Sequence, residues 1–521
     1  MTVTWAIPFL YFLLSGFLCI FIHNVYTNKL ARRSAQARQA ILKELGIPST
    51  SNPKFIAFFH PYCNAGGGGE RVLWTAVAAT QRAHPNCVSL VYTGDTDATK
   101  QQIIAQVRAR FSISLDPGSL HFAFLKKRHL VEDATWPRFT LLGQSLGSMI
   151  LAWEALSQVI PDLYIDSMGY AFTFHVVAWL TKGSTQIGAY VHYPTISTDM
   201  LARVKARKAG HTNRGDVAGS VVLSRGKMWY YRLLMYHYSL ALYRPSFIMA
   251  NSSWTKNHVD AILSHSDPVM SALHSFTPLF FLRVFASAYS RLTEPNIDDQ
   301  RSKKRRVRVY PPCDTHEMAK FSLNARERVI LSIAQFRPEK DHPAQLRAFA
   351  QLLADQPTYA SGSSPVKLIL LGGARNAEDH ARVQSLQDLA KELKITHHIE
   401  FIINASYPDM LSWLAKASIG LSTMVDEHFG INVVEFMAAG VIPVTHASGG
   451  PLHDIVVPLD GEATGFHAHD SQSFADAMHR VLSMGKSEEQ AMRERARRWA
   501  VDAFAEERFI EGWEAAWKGY I

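Results

Sequence analysis

Two series of short apolar runs, each run separated from the next by a segment of helical periodicity, constrain this chain more than any other feature. Residues 54–60, 88–92, 162–166 and 186–191 make the first series, and 328–333, 366–371, 399–402, 419–421 and 441–444 the second. Short apolar runs bounded by turn residues read as buried strands, and strands alternating with helices imply a parallel sheet covered on both faces. The pattern predicts helices over 70–83 and 100–111, following the first two strands. With 521 residues, 47% of them hydrophobic, there is material for two cores. The expected architecture is α/β, two doubly wound Rossmann-like domains over 53–312 and 313–498, joined near Pro311 and Pro312. A segment over 499–521, helical in pattern and anchored by Trp499, Phe504, Phe509, Trp513 and Trp517, is expected to pack back on the first domain.

The N-terminus has a different character. No Asp, Glu, Lys or Arg occurs in residues 1–28, and the apolar run 5–26 approaches the ~20 residues that cross a bilayer core. Residues 1–28 are therefore expected to be a transmembrane anchor; a cleaved signal peptide would need positive charge before the run and a small-residue cleavage site after it. A basic stem over 29–52 follows, with Lys29, Arg32, Arg33, Arg38 and Lys43 opposed only by Glu44, which places the rest of the chain in the cytosol. Cys19, Cys63, Cys87 and Cys313 are sparse and have no CxxC spacing, which indicates neither a zinc site nor a disulfide framework and suits a reducing compartment. The Asn251 and Asn404 sequons are then expected to stay unmodified. The net charge of +9 fits an anionic membrane, a phosphorylated substrate or nucleic acid. The last is disfavoured because the basic residues gather in the stem and in 301–308 rather than around an aromatic platform. An insertion over about 264–306 combines the aromatic piece 276–285 with that charged tract, and reads equally as a membrane-touching hairpin or as an extra core helix with a solvated loop.

The strongest local signal is Glu427-His-Phe-Gly-Ile-Asn-Val-Val-Glu435, followed by small residues to Gly440. It sets a carboxylate after a strand, a glycine that lets backbone amides approach a ligand, a helix start whose dipole favours phosphate, and a second carboxylate. Such an arrangement can grip a nucleotide sugar at both ends. Two glutamates flanking a core helix is the plainer reading, and it leaves the glycine unexplained. Asn64-Ala-Gly-Gly-Gly-Gly-Glu70 offers amides at another helix start, without the spacing of a dinucleotide fingerprint or a P-loop. His192, in Tyr190-Val-His-Tyr-Pro194, taken alone reads as an ordinary structural histidine. Asp95-Thr-Asp97 reads as a turn, and no metal is expected.

These motifs together resemble the GT-B retaining glycosyltransferases, the large family that includes phosphatidylinositol mannosyltransferases and sucrose synthases, whose two domains face a cleft. The resemblance implies that Glu427 meets the transferred sugar and Glu435 the ribose. Phe429 and the amides of Gly430 and Ile431 would face the diphosphate or sugar, joined by Gly67, Gly68 and Gly69 of the first glycine loop. In Ser332-Ile-Ala-Gln-Phe-Arg-Pro-Glu-Lys340 the family's lysine is Lys340, whereas Gln335 stands where an arginine is usual and Arg337 lies two residues on. The resemblance makes Lys340 and Arg337 the pair that neutralises the leaving diphosphate, and His192 the residue beside the reacting centre. Ser448-Gly-Gly-Pro-Leu-His-Asp454 matches a second glycine-rich segment of the donor domain.

Phe59-His-Pro-Tyr-Cys-Asn-Ala-Gly-Gly-Gly-Gly-Glu-Arg71, Tyr190-Val-His-Tyr-Pro-Thr-Ile-Ser197, Ala250-Asn-Ser-Ser-Trp-Thr255 and Tyr310-Pro-Pro-Cys-Asp314 are most similar to the eukaryotic branch that moves mannose from GDP-mannose to dolichol-diphosphate-linked oligosaccharide. That branch implies a metal-free retaining α-1,2 transfer, adding the fourth and fifth mannoses on the cytosolic face of the endoplasmic reticulum. It allows association with other mannosyltransferases of the pathway. The alternatives are a mannosyl- or N-acetylglucosaminyltransferase acting on another membrane glycolipid, and a catalytically silent nucleotide-binding scaffold.

Overall fold

The computed structural model describes residues 6–207, 220–275, 305–324, 326–361 and 364–520; the side chains of 6–15 and of 199 lie outside it. The chain divides into two compact units, one of Met1–Ala250, Lys256–Val307 and Trp513–Ile521, the other of Asn251–Thr255 and Arg308–Gly512.

The first unit holds a seven-stranded sheet of β1 (Lys54–Phe59), β2 (Cys87–Thr93), β3 (Leu120–Phe124), β4 (Leu163–Asp166), β5 (Gln186–Val191), β6 (Phe247–Ala250) and β7 (Arg305–Arg308), in the order β3-β2-β1-β4-β5-β6-β7. The pairings from β3 through β6 are parallel. Every residue of β2 is buried, which is why the strand reads as a continuous apolar run rather than an alternation. Register decides what this sheet can present. Phe59 is level with Asp166 and Asp166 with Ala189. Residues just past these strand ends, His60, Ser167 and His192, therefore share one rim.

One continuous helix, Ala6–Leu45, takes up both the expected anchor and most of the stem. Its Leu30, Ile41 and Leu42 enter the first unit's core, Arg38 pairs with Asp162 at 2.6 Å, and Ser34 Oγ accepts the Ile160 N–H. Among the described residues no helix is long and apolar enough to cross a membrane. Half of the expected span over 5–26 falls on residues whose side chains lie outside the described set. So do the aromatic piece 276–285 and residues 301–304 of the basic tract. At the end of the insertion β7 runs from Arg305 to Arg308, ending before Tyr310. Tyr310 is instead drawn into the second unit by rings of Phe429 and Phe504.

The second unit holds six parallel strands, β8 (Val329–Ile333), β9 (Lys367–Gly372), β10 (Ile399–Ile403), β11 (Ile419–Ser422), β12 (Ile442–His446) and β13 (Phe466–Ala468), ordered β10-β9-β8-β11-β12-β13. Helices His342–Asp355 and Ser471–Leu482 bury one face with Ile330, Leu368 and Leu421. Helices Ile431–Ala439 and Lys486–Phe504 bury the other with Leu331 and Ile369. The C-terminal segment is two helices, Lys486–Phe504 and Glu506–Trp517. Phe504 packs in the second unit, while Trp513 and Trp517 are fully buried in the first beside Phe58, Tyr190 and His84.

Candidate active site

In the second unit β8 and β11 are hydrogen-bonded neighbours, so the loops at their carboxyl ends rise side by side, the usual position for a ligand on an open parallel sheet. Lys340 closes a short turn, Pro338–Lys340, after β8, and Glu427 sits on the loop after β11. Lys340 Nζ lies 2.5 Å from Glu427 Oε1, and Ser422 Oγ donates to Glu427 Oε2 at 3.1 Å. Thr423 Oγ1 ties the two loops by hydrogen bonds to the carbonyls of Lys340 and Asp341. Glu427 is only 7% exposed, so its charge is held by partners rather than by water.

The Glu427 loop is held from behind by Ser448–Gly450. The Asp426 N–H bonds Ser448 Oγ at 2.7 Å and the Gly450 N–H bonds the Glu427 carbonyl at 2.7 Å. Gly449 has φ +63°, and a Cβ there would lie 2.2 Å from the Glu427 carbonyl oxygen, so only glycine permits this approach. Gly430, at φ +114°, turns the chain into helix Ile431–Ala439, leaving that helix's first amides at the site. Glu435 lies one turn after Ile431, half-buried. Phe429, expected to face the donor, has its side chain withdrawn from solvent. Its ring is buried against Tyr310 and Phe504, where apolar surface is best satisfied, and only its backbone can face a ligand. Arg337 is half-buried, and its guanidinium has no ion-pair partner among the described residues. His342, two residues beyond Lys340, is buried, and burial followed by the Lys340 charge pushes its pKa down to about 4.

The first unit gathers a different set. His192 Nε2 lies 3.0 Å from the Ser167 carbonyl, and its ring stands edge-on to Tyr190. Burial, then the neighbouring His60, pushes its pKa down to about 4, so it is a neutral imidazole that uses Nε2–H as a donor. A Cβ on Gly69 would lie 3.9 Å from the His192 ring, which puts the glycine loop beside it. The Gly67 amide is already taken. It donates to Glu70 Oε2 at the start of helix Gly68–Ala83, so Gly68 and Gly69 are left as the loop's candidate donors. Asp95 accepts the Asn64 N–H and pairs with Arg128, so it braces the start of the loop. Among the described residues no group of His, Cys, Asp or Glu could hold a metal.

A family model described as ALG11 mannosyltransferase N-terminus matches residues 53–263, and one described as glycosyl transferases group 1 matches 314–499. The GDP-Man:Man(3)GlcNAc(2)-PP-Dol alpha-1,2-mannosyltransferase of Mus musculus is 41% identical over 476 residues, covering 90% of this chain and 88% of its own. The Homo sapiens protein of the same name is 43% identical over 462 residues, covering 88% and 85%. The chain belongs to the ALG11 mannosyltransferase family. Its fold is that of the GT-B glycosyltransferases, with two Rossmann-like parallel-sheet domains. An alpha,alpha-trehalose 6-phosphate synthase from Burkholderia multivorans aligns over 90% of this chain and 98% of its own at TM-score 0.60 and 12% identity.

Within this ALG11-family chain the second unit brings Glu427, Lys340, Gly430 and Ile431 together, and the first brings His192 to Gly69. The reading of the sequence missed His60, Glu70, Ser167 and Asp166. The first two stand inside motifs already singled out, and Asp166 ends and Ser167 follows a strand whose register only the sheet reveals.

Proposed function

We propose that this chain transfers mannose from GDP-mannose to a dolichol-diphosphate-linked oligosaccharide, in α-1,2 linkage and with retention, supplying the fourth and fifth mannoses. The observation that carries the reading is the Lys340–Glu427 pair beside the start of helix Ile431–Ala439, in a chain of this family. Both Glu427 oxygens are engaged, by Lys340 and Ser422. A carboxylate so held suits accepting hydrogen bonds from sugar hydroxyls better than attacking an anomeric carbon.

With no nucleophile assigned to the protein, the acceptor hydroxyl attacks from the face the diphosphate leaves, and the departing oxygen takes its proton. Lys340, Arg337 and the first amides of helix Ile431–Ala439 stabilise the charge that develops on the diphosphate. Glu435 takes the ribose. His192, neutral, serves the acceptor sugar as a hydrogen-bonding group rather than as a cation. No metal enters this scheme.

The acceptor's lipid asks for a membrane, and the first unit exposes apolar surface that supports one. Phe17, Leu18, Phe21, Ile22 and Val25 of helix Ala6–Leu45 are exposed, as are Trp153 and Trp179. Lys29, Arg32 and Arg33 follow on the same helix, also exposed. The proposed location is the endoplasmic reticulum membrane, anchored by the N-terminus with both domains in the cytosol.

The test is transfer by the purified protein from GDP-mannose and from UDP-sugars, to dolichol-linked and to inositol-lipid acceptors, with linkage analysis of the product. An α-1,2-mannosylated dolichol oligosaccharide is expected. Transfer from a UDP-sugar, or to the inositol lipid alone, overturns the assignment.

A further inference from the structure

Under the glycine loop of the first unit runs a buried polar chain for which the transfer chemistry has no direct use. Glu70, 7% exposed, accepts the Gly67 N–H on Oε2 and faces His60 Nε2 at 3.4 Å with Oε1. His60, wholly buried, places Nδ1 2.8 Å from Ser167 Oγ. The backbone carbonyl of the same Ser167 receives His192 Nε2 at 3.0 Å. Asp166 closes the turn from below, accepting the N–H groups of Met168 at 3.1 Å and Gly169 at 3.0 Å. The chain therefore connects three strand ends, those of β1, β4 and β5, with the first turn of helix Gly68–Ala83.

Hydrogen-bond arithmetic assigns the protons. An ionised Glu70 accepts only, so His60 donates from Nε2, and His60 Nδ1 pairs with the Ser167 hydroxyl. Burial opposes ionisation of Glu70, but the bonds from His60 and Gly67 outweigh it and hold its pKa below the ordinary value. Every polar atom of the chain has a use, and none needs to touch substrate.

We propose that Glu70, His60 and Ser167 are positioning residues for the transfer. Together they set the Ser167 carbonyl that fixes the tautomer and orientation of His192, and they hold the glycine loop against that ring. This rests on the reading of His192 as the acceptor-side group. The physical reason for such a chain is that an imidazole has two ring orientations and two tautomers, and one fixed carbonyl selects one of the four. A misplacement of about 1 Å at a reacting centre can cost about 100-fold in rate. The carboxylate on the Gly67 amide also removes one donor from the loop. A second anion close to Glu70 would meet like charge, so the loop is built to be held in shape at Gly67.

The experiment compares the full-length wild-type enzyme with Glu70→Gln, Ser167→Ala and His60→Gln, measuring kcat, KM for GDP-mannose, GDP affinity and thermal midpoint. A glutamine at 70 cannot accept both bonds, because one of its two ends is a donor. Glu70→Gln is expected to lower kcat by about 10- to 100-fold, and Ser167→Ala by about 3- to 10-fold. The KM for GDP-mannose and the affinity for GDP should stay within about twofold of wild type. Glu70→Asp, which keeps two acceptors, should recover part of the lost rate. If both Glu70→Gln and Ser167→Ala keep wild-type kcat, the proposal fails. It also fails if kcat and GDP affinity fall together in step with a lowered thermal midpoint, which is the mark of a purely structural role. A wild-type enzyme that transfers no mannose refutes the proposed function instead, and the two failures are read from different proteins.

Discussion

Lys340 Nζ and Glu427 Oε1 stand 2.5 Å apart on loops that follow adjacent strands, and the Glu427 side chain is 9% exposed against 23% for Lys340. A pair so shielded differs from a surface salt bridge, because removing one member strands the other's charge. In the proposed transfer each residue also has its own task toward the donor, the leaving diphosphate for Lys340 and the sugar for Glu427. Lys340→Ala and Glu427→Ala are each expected to lower turnover at least ~100-fold, about 2.7 kcal/mol of transition-state stabilisation. In a double-mutant cycle the two losses should be far from additive. Steady-state kinetics of the three variants checks this, and near-normal turnover in either single variant removes both residues from the site.

Gly449 carries a prediction that does not depend on any charge. Its left-handed φ and the 2.2 Å that would separate a Cβ from the Glu427 carbonyl mean that any side chain displaces the loop bearing Glu427. Gly449→Ala should therefore cost about 30-fold or more in turnover, comparable to a misplaced catalytic group. The first unit does not contain Gly449 and should keep its fold. Circular dichroism and limited proteolysis would separate a local shift from unfolding, and an alanine variant with wild-type kcat would show that the loop has room to move.

Most of the architecture was legible because the buried strands of a doubly wound fold are continuous apolar runs. Gln186–Val191 and Lys100–Phe111 match their expected bounds, and other elements lie within a residue or two. The strands left unread were those whose pattern is weakest: Leu120–Phe124, carrying His121 at its second position, the four-residue Phe247–Ala250 and the three-residue Phe466–Ala468. Edge position explains two of them, since β3 and β13 end their sheets and have a neighbour on one side only. The site was legible in part. Glu427 and Lys340 could be matched as motifs, but their contact needs β8 beside β11. Phe429 could not be told from a ligand contact, because the rings that bury it, Tyr310 and Phe504, are distant in sequence. His60, Glu70 and Ser167 became visible only once three strand ends were level.

Acid should weaken the fold through two desolvated histidines, one in each unit. His192 and His342 are both pushed down to about 4, first by burial, from an ordinary value near 6.5. The sign follows from proton binding. Between pH 6.5 and about 4 the unfolded chain binds protons at these rings while the native chain does not, so their contribution falls as pH drops through that window; Asp166, pushed up to about 7 by burial, works the other way below that pH and offsets part of the fall. Urea midpoints measured at pH 7.5, 5.5 and 4.5 should decline in that order. His342→Gln should flatten part of the decline, and an unchanged slope in that variant would mean that His342 titrates normally in the native state.

The aromatic cluster beside the N-terminal helix gives the membrane reading its own test. His23 stacks on Trp179 with centroids 4.5 Å apart, Tyr26 lies 5.3 Å from Trp153, and Trp153 lies 5.4 Å from Trp179. Trp153 and Trp179 are 36% and 48% exposed, and Leu146 and Ile150 on the same helix as Trp153 are exposed too. Tryptophan at the edge of apolar surface suits the headgroup region, where the ring is buried and its N–H stays wet. With a cationic stretch nearby, the surface should favour anionic bilayers. Trp153→Asp combined with Trp179→Asp should reduce binding to vesicles containing anionic lipid by about 10-fold or more when residues 1–15 are absent. The variant should retain its GDP affinity, because neither residue belongs to the second unit. Equal vesicle binding by the variant and its parent would remove Trp153 and Trp179 from membrane attachment, and binding insensitive to salt would remove the basic residues Lys29, Arg32 and Arg33 from the account.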